Sequence, residues 1–327
     1  FFISSHEWLA FKLGAEKVTV LPSASYEPYY WNDEQCRLFG LDIKKFPPFV
    51  KTGMPIGNVS HNAASWCKLK SGTPVIAGAP DFISALIGTG IQKPGDVCDR
   101  TGSSEGINVC ATEAIKGEGL RALPHVKEGL WNIGAVINSS GRLFEWYMKQ
   151  YSIQDNTYEE LMAELIPSTT DTELFEGEFF LPPDDLSGEK PAPGRPALGR
   201  AVLCAIGFAV RGVVEILGKA GLPVKLMRVS GGQGKNPRWN RLKADITGVS
   251  LMIPEISDGE LAGNAIIAAS ALEEISPESA SDRMIRFREV YEPHAETASF
   301  WEQRYRLYKQ RAEERQASDN RAGRFSG

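Results

Sequence analysis

Apolar positions along this chain recur with two periods, and the switches between them mark its elements. Residues 200–217, RAVLCAIGFAVRGVVEIL, place apolar side chains at helical spacing and run up to Gly218, which predicts a long helix. Residues 259–273, rich in Ala and Ile, predict a buried helix. Residues 237–247 predict a helix that Pro237 starts at its first turn and Gly248 stops. Apolar runs at 74–77, 97–99, 107–110, 130–137, 224–229 and 250–253 predict short strands. Residues 4–13 predict a helix capped by Ser4 or Ser5, with Glu7 spaced from Ser4 for a capping box. Residues 26–31 are aromatic and broken by Pro28, which predicts loop or edge; 33–39 read as helix and 51–57 as an extended link. Residues 142–151 predict a helix with Leu143, Trp146, Tyr147 and Tyr151 on or near one face. The segment 176–199 carries five prolines and four glycines among charges and predicts irregular surface chain. Pro293 divides 286–315 into a short segment and a terminal helix docked by aromatic side chains. The composition after Gln316 predicts a frayed tail.

One stretch organises the rest. Residues 73–108 predict a buried strand, a tight Gly78-Ala79-Pro80 bend, and a helix opened by Asp81 that runs to about Gly88. After Pro94-Gly95 comes a hairpin whose tip is Thr101-Gly102-Ser103-Ser104. An aspartate at a helix start and a Gly/Ser hairpin about twenty residues later are parts that phosphoryl transfer can use. The carboxylate accepts a hydroxyl proton, and the tip offers N–H and O–H donors to phosphate oxygens.

Composition narrows the class. A chain of 327 residues, 42% hydrophobic and 24% charged, is long enough for two cored domains and reads as globular, neither membrane nor fibre. The net charge of −5 and pI near 5.6 give no basic footprint, which argues against a nucleic-acid partner. Five cysteines, odd in number and widely spaced, read as reduced buried thiols of a cytoplasmic protein. No pair has CxxC spacing and the four histidines do not cluster with them, so no metal site is predicted. The chain begins Phe1-Phe2-Ile3 without methionine or signal-peptide pattern, as expected of a chain that starts inside a domain.

A second glycine turn, Ser230-Gly231-Gly232-Gln233-Gly234-Lys235-Asn236-Pro237, lies between a predicted strand and a predicted helix. There glycines admit a nucleotide against bare backbone and a helix N-terminus faces it. It is not a Walker A loop, whose first glycine would fall at Val229 and whose Ser or Thr is missing after Lys235. On the residues alone an ordinary strand-to-helix loop stays open here, as does a plain β-turn at 102–104 and a helix N-cap at Asp81.

The order strand, Gly-x-x-Asp, helix, Gly-Ser hairpin, and later glycine turn resembles the FGGY carbohydrate kinases. That resemblance implies an α/β fold of the actin/hexokinase (ribonuclease H-like) type. It divides the chain into the later part of a first, sugar-binding domain (1–92), a complete second, nucleotide-binding domain (93–315) and a flexible tail (316–327). The family's opening phosphate hairpin and most sugar-contacting residues would precede Phe1. The resemblance makes Asp81 the general base, Gly102, Ser103 and Ser104 the phosphate hairpin, and Gly231, Gly232 and Asn236 the nucleotide turn. Asn236 would hydrogen-bond the nucleotide. ATP and Mg²⁺ are the implied cofactors, with the metal held by phosphates and water rather than a protein cage. The implied reaction is phosphorylation of a small ketose or polyol, a xylulose-like pentulose first. The implied partner is a small sugar, with no nucleic acid and no membrane; oligomeric state stays open, a homodimer among the alternatives. Two departures stand out: Phe82 follows Asp81 where a small or amide residue is usual, and Glu105 follows the hairpin where a neutral one is usual. They keep open a non-catalytic sugar- or nucleotide-binding regulator on the same fold, beside an actin-like ATPase. Little or no turnover is expected of this chain by itself. Trp146 and Trp239 read as core, Lys235 as an exposed lysine, Asp245 as a solvated or locally bonded acid, and His61 has no assigned role.

Overall fold

The computed structural model describes residues 1–154, 158–177, 181 and 194–323. The first part contains α1 (Ser5–Leu13), β1 (Thr19–Leu21), α2 (Asp33–Leu38), β2 (Phe49–Lys51), β3 (Pro55–Asn58), α3 (His61–Cys67), β4 (Pro74–Ile76) and α4 (Asp81–Gly88). A capping box starts α1: the Ser4 hydroxyl accepts from the Glu7 N–H, and the Glu7 carboxylate accepts from the Ser4 N–H at 2.9 Å. The same carboxylate accepts from the Val20 N–H at 2.8 Å, which fastens α1 to the strand β1. β1 pairs in parallel with β2, and β3 pairs antiparallel with β4. The expected extended link is therefore two strand ends, and the aromatic loop at its front is a 3₁₀ turn, Ala24–Tyr29.

From Val97 the chain builds a larger layer: β5 (Val97–Thr101), β6 (Glu105–Ala111), β7 (Arg121–Pro124), β8 (Trp131–Ile137), α5 (Ser140–Gln150), α6 (Tyr158–Leu165) and α7 (Arg195–Lys219). It continues through β9 (Leu226–Ser230), α8 (Pro237–Thr247), β10 (Ser250–Pro254), α9 (Gly259–Glu273), α10 (Pro277–Met284), β11 (Phe287–Tyr291) and α11 (Ala298–Gly323). The strands form one seven-stranded sheet in the order β11-β10-β9-β5-β6-β8-β7, with β5, β9 and β10 mutually parallel at its centre and antiparallel strands outside.

Alternation along the strands covers both faces. Val97, Ile107 and Val109 pack with Val210, Val213 and Leu217 of α7, while Cys98 and Cys110 point the other way, onto Leu86 of α4 and Ile91. The opposite side of α7 (Val202, Leu203, Ile206, Phe208) packs on Tyr147, Leu165, Trp239 and Trp301. Apolar on both sides, α7 is long and apolar enough by length and composition to cross a membrane, yet here it lies between the sheet and other helices, 56% of its apolar window buried. It starts five residues earlier than the periodicity predicts, at Arg195, because Pro196 in the first turn is compatible with a helix start. Most of the segment predicted as irregular, residues 178–180 and 182–193, lies outside the described residues. The predicted frayed tail is helical as far as Gly323. Cys36, Cys98, Cys110 and Cys204 are buried free thiols, and burial pushes the Cys98 thiol up to about 12.

Candidate active site

β5 and β9 are parallel neighbours, so both strands end at the same edge of the sheet, where open α/β sheets bind their ligands. The hairpin tip 102–104 follows β5 and the turn 231–235 follows β9, with Arg100 opposite Ser230 in the register. The two glycine turns predicted from distant parts of the sequence therefore lie side by side. The Thr101 hydroxyl donates to the Ser230 carbonyl at 2.8 Å. Gly231 has φ +102°, and a Cβ there would stand 2.0 Å from the Thr101 carbonyl oxygen, so only glycine allows this contact. The hairpin also leans on the start of α5, where the Arg142 N–H donates to the Ser103 carbonyl at 3.1 Å. Ser103 and Ser104 are exposed.

Asp81 is the first residue of α4. It does not cap that helix in the usual way: its N-cap is Pro80, and one carboxylate oxygen accepts from the neighbouring Phe82 N–H at 2.6 Å. The other lies 3.5 Å from Nη1 of Arg100, which also approaches Oε1 of Glu260 at 3.3 Å. The Asp81 side chain is 68% exposed. The carboxylate is thus accessible and sits at the same sheet edge as both glycine turns, one arginine away from the hairpin.

Asn236 is held from both ends of its side chain. It is buried, its Oδ1 accepts from the Trp239 N–H at 3.0 Å as the cap of α8, and its Nδ2 donates to Glu159 at 2.9 Å. These bonds fix the turn to α8 and to α6. Gly232 and Gln233, with Gly102, Ser103 and Lys235, border a cavity of about 720 Å³ walled by Phe144, Met148, Tyr158, Leu203, Ile206 and Trp239. Apolar walls with a few polar groups at one end, in this size range, suit a flat heterocycle whose charged tail points at the hairpin.

Beneath the hairpin is a charged cluster that the sequence does not advertise. Lys243 of α8, wholly buried, places Nζ 2.8 Å from Asp99 and 2.5 Å from Glu105. Glu105 also accepts from the Ser140 hydroxyl, and Gln233 donates to Ser140 at 3.2 Å and to the Gly102 carbonyl at 3.4 Å. Trp239 Nε1 donates back to Gln233 at 3.1 Å. Burial and the neighbouring Glu105 charge push the Asp99 carboxyl up to about 8, against the pull of Lys243. Burial raises Glu105 too, but Lys243 and its hydrogen bonds outweigh this and hold it below the usual value. Burial lowers the Lys243 ammonium, and its two carboxylates more than reverse that. Glu105 therefore turns inward, and the charge that would repel a phosphate at the hairpin is neutralised within the fold.

The other readings resolve simply. Trp146 and Trp239 are core, Lys235 is exposed and His61 opens α3 at the surface. Asp245 is buried rather than solvated, accepting from the His294 N–H at 2.7 Å and facing its Nδ1 at 3.0 Å. Among the described residues no group of three or more His, Cys, Asp or Glu side chains is arranged to hold a metal ion.

Helices on both faces of a mixed sheet, two glycine turns at the ends of adjacent parallel strands, and a carboxylate at the next helix start define an α/β fold of the actin/hexokinase type. The chain belongs to the FGGY family of carbohydrate kinases: residues 100–272, more than half of its length, match the family's C-terminal domain. It is 23% identical to an autoinducer-2 kinase of Salmonella choleraesuis over 91% of this chain and 62% of that protein. It is 26% identical to a xylulose kinase of Staphylococcus epidermidis over 86% of this chain and 59% of that protein. The fold superposes on the crystal structure of a xyloylose kinase from Brucella ovis with a TM-score of 0.75 at 21% identity, covering 96% of this chain and 68% of that one. The chain thus spans about 62% of the length of the autoinducer-2 kinase.

Proposed function

We propose that this chain is the later part of the sugar-binding domain (1–92) and the whole nucleotide-binding domain (93–315) of an ATP-dependent carbohydrate kinase. The observation that carries the reading is the convergence of Asp81, the 102–104 hairpin and the 231–235 turn on one sheet edge, beside an apolar cavity. In this reading the adenine enters the cavity, Gly231 and Gly232 pass close to the ribose, and the hairpin N–H groups with the Ser103 and Ser104 hydroxyls hold the phosphates. Asn236 keeps the turn in place from behind. Asp81 accepts the proton of the acceptor hydroxyl as its oxygen forms the new bond to the γ-phosphorus. The bond from that phosphorus to the β-bridging oxygen breaks, ADP leaves, and Asp81 returns the proton to solvent. Mg²⁺, held chiefly by phosphate oxygens and water, would neutralise charge on the triphosphate.

The acceptor is a small ketose or polyol, with a xylulose-like pentulose the first choice; the relatives bear names of different acceptors, so the class is supported more strongly than the sugar. The inward turn of Glu105 removes one reason to prefer a non-catalytic regulator. The test is ADP release measured with a panel of ketoses and polyols, using the polypeptide that carries the complete pair of domains. Asp81→Asn should lower sugar-dependent turnover by at least about a hundredfold while leaving ADP affinity unchanged. Sugar-independent ATP hydrolysis of equal rate would favour an ATPase, and a fully active Asp81→Asn variant would remove the base from this assignment.

A further inference from the structure

Arg100, like Lys243, is a side chain at this site that no sequence signal singled out. It stands on β5 two residues before Gly102, at the mouth of a recess of about 230 Å³ that Ser230, Gly231, Lys235 and Glu260 also line. Its guanidinium is a third exposed, and both of its ion pairs, to Asp81 at 3.5 Å and to Glu260 at 3.3 Å, are made by Nη1 alone. Nη2 and Nε have no hydrogen-bond partner among the described residues. Two long, exposed ion pairs are weak and readily exchanged. A guanidinium with an open fork, between the candidate base and a hairpin built for phosphate, matches the geometry by which arginine grips a phosphate through paired N–H donors.

We propose that Arg100 is a catalytic residue that binds the γ-phosphoryl group of the nucleotide, exchanging Asp81 and Glu260 for phosphate oxygens when the site fills. The inference rests on the kinase reading above and adds to it a specific residue for the group in transit. Until phosphate arrives, Asp81 and Glu260 hold the guanidinium at the cleft; afterwards Asp81 is released to face the acceptor hydroxyl.

The test compares two probes on the full chain by calorimetry, ADP and the non-hydrolysable analogue AMP-PNP, which differ by the terminal phosphoryl group. Arg100→Met should reduce the ratio of AMP-PNP to ADP affinity about tenfold, the scale of one lost charge-assisted pair, with ADP affinity kept within about twofold. Arg100→Lys, which keeps the charge and loses the fork, should show a smaller drop and serves if the methionine variant does not fold. Glu260→Gln, which removes a competitor for the guanidinium, should raise the ratio. A merely structural role would weaken both probes together. If ADP binds and the ratio is the same in wild type, Arg100→Met and Arg100→Lys, the role of Arg100 is overturned and the kinase reading stands. If wild type binds neither probe, the kinase reading fails and this proposal with it.

Discussion

Lys243 shows how a single residue can tie two glycine turns together. Its ammonium joins Asp99 and Glu105 of the β5–β6 hairpin to α8, and Glu105 extends the link through Ser140 and Gln233 to the Gly102 carbonyl. Removing the cation leaves the Glu105 carboxylate buried without a counter-charge beside the Asp99 carboxyl, whereas neutralising all three groups together removes the penalty. Lys243→Met should therefore destabilise the fold by about 3–5 kcal/mol. The triple variant Asp99→Asn, Glu105→Gln, Lys243→Met should recover most of that loss in thermal melts. A Lys243→Met variant as stable as wild type would show that the cluster is not ionised as described. The sequence hides this network for a physical reason. Lys243 falls on a position of α8 that periodicity alone assigns to core, and its partners are more than a hundred residues away and meet it only in the sheet. Arg100 is hidden in the same way, because its acids lie on α4 and α9. The positions of Asp81 and both glycine turns are legible because their signals are local: a carboxylate at a helix start and glycines at strand ends.

Among the elements, α4 and α9 cross closely enough for the backbones to touch. A Cβ on Gly263 would stand 1.8 Å from the Ser84 carbonyl oxygen, and one on Gly88 1.9 Å from that of Gly259. Because α4 carries Asp81 at its start and α9 carries Glu260, their approach sets the distance between the two acids and Arg100. Gly263→Ala should separate the helices at a cost of about 1–3 kcal/mol, as overpacking does, and reduce sugar-dependent turnover more than nucleotide affinity. Unchanged melting temperature and turnover would mean that the helices have room to spare. Helix and strand bounds at this scale were largely readable: α4, α8 and α9 start and stop where Asp81, Pro237 and Gly259 predict. What the sequence missed were short elements such as α3, β7 and α10, whose few residues carry too little periodicity to separate them from loop.

Across the whole molecule, the first part docks on the large sheet near β7. The Tyr26 hydroxyl donates to the Pro124 carbonyl at 2.6 Å and the Ser23 hydroxyl to the His125 carbonyl at 3.2 Å. His125 is buried, with Nδ1 accepting from the Lys127 N–H at 3.0 Å and Nε2 2.9 Å from the Ile91 carbonyl, an arrangement that suits the neutral imidazole. Burial holds its pKa below the ordinary 6.5, against the support of the Ile91 hydrogen bond. A depressed histidine contributes stability in full above 6.5 and loses it as pH falls through the lower folded-state value. Acidification below 6.5 should therefore lower the denaturation midpoint, and His125→Gln should flatten that limb; an identical slope in both proteins would assign the acid sensitivity elsewhere.

Asp81, the 102–104 hairpin and the 231–235 turn are proposed to converge on the terminal phosphate of one bound nucleotide. A crystal structure with AMP-PNP tests it most directly. The γ-phosphoryl group should lie against the hairpin N–H groups, the adenine between Phe144 and Trp239, and the Asp81 carboxylate should face the phosphorus. Nucleotide bound elsewhere on the chain, or bound here with its phosphates pointing away from Asp81, would contradict it.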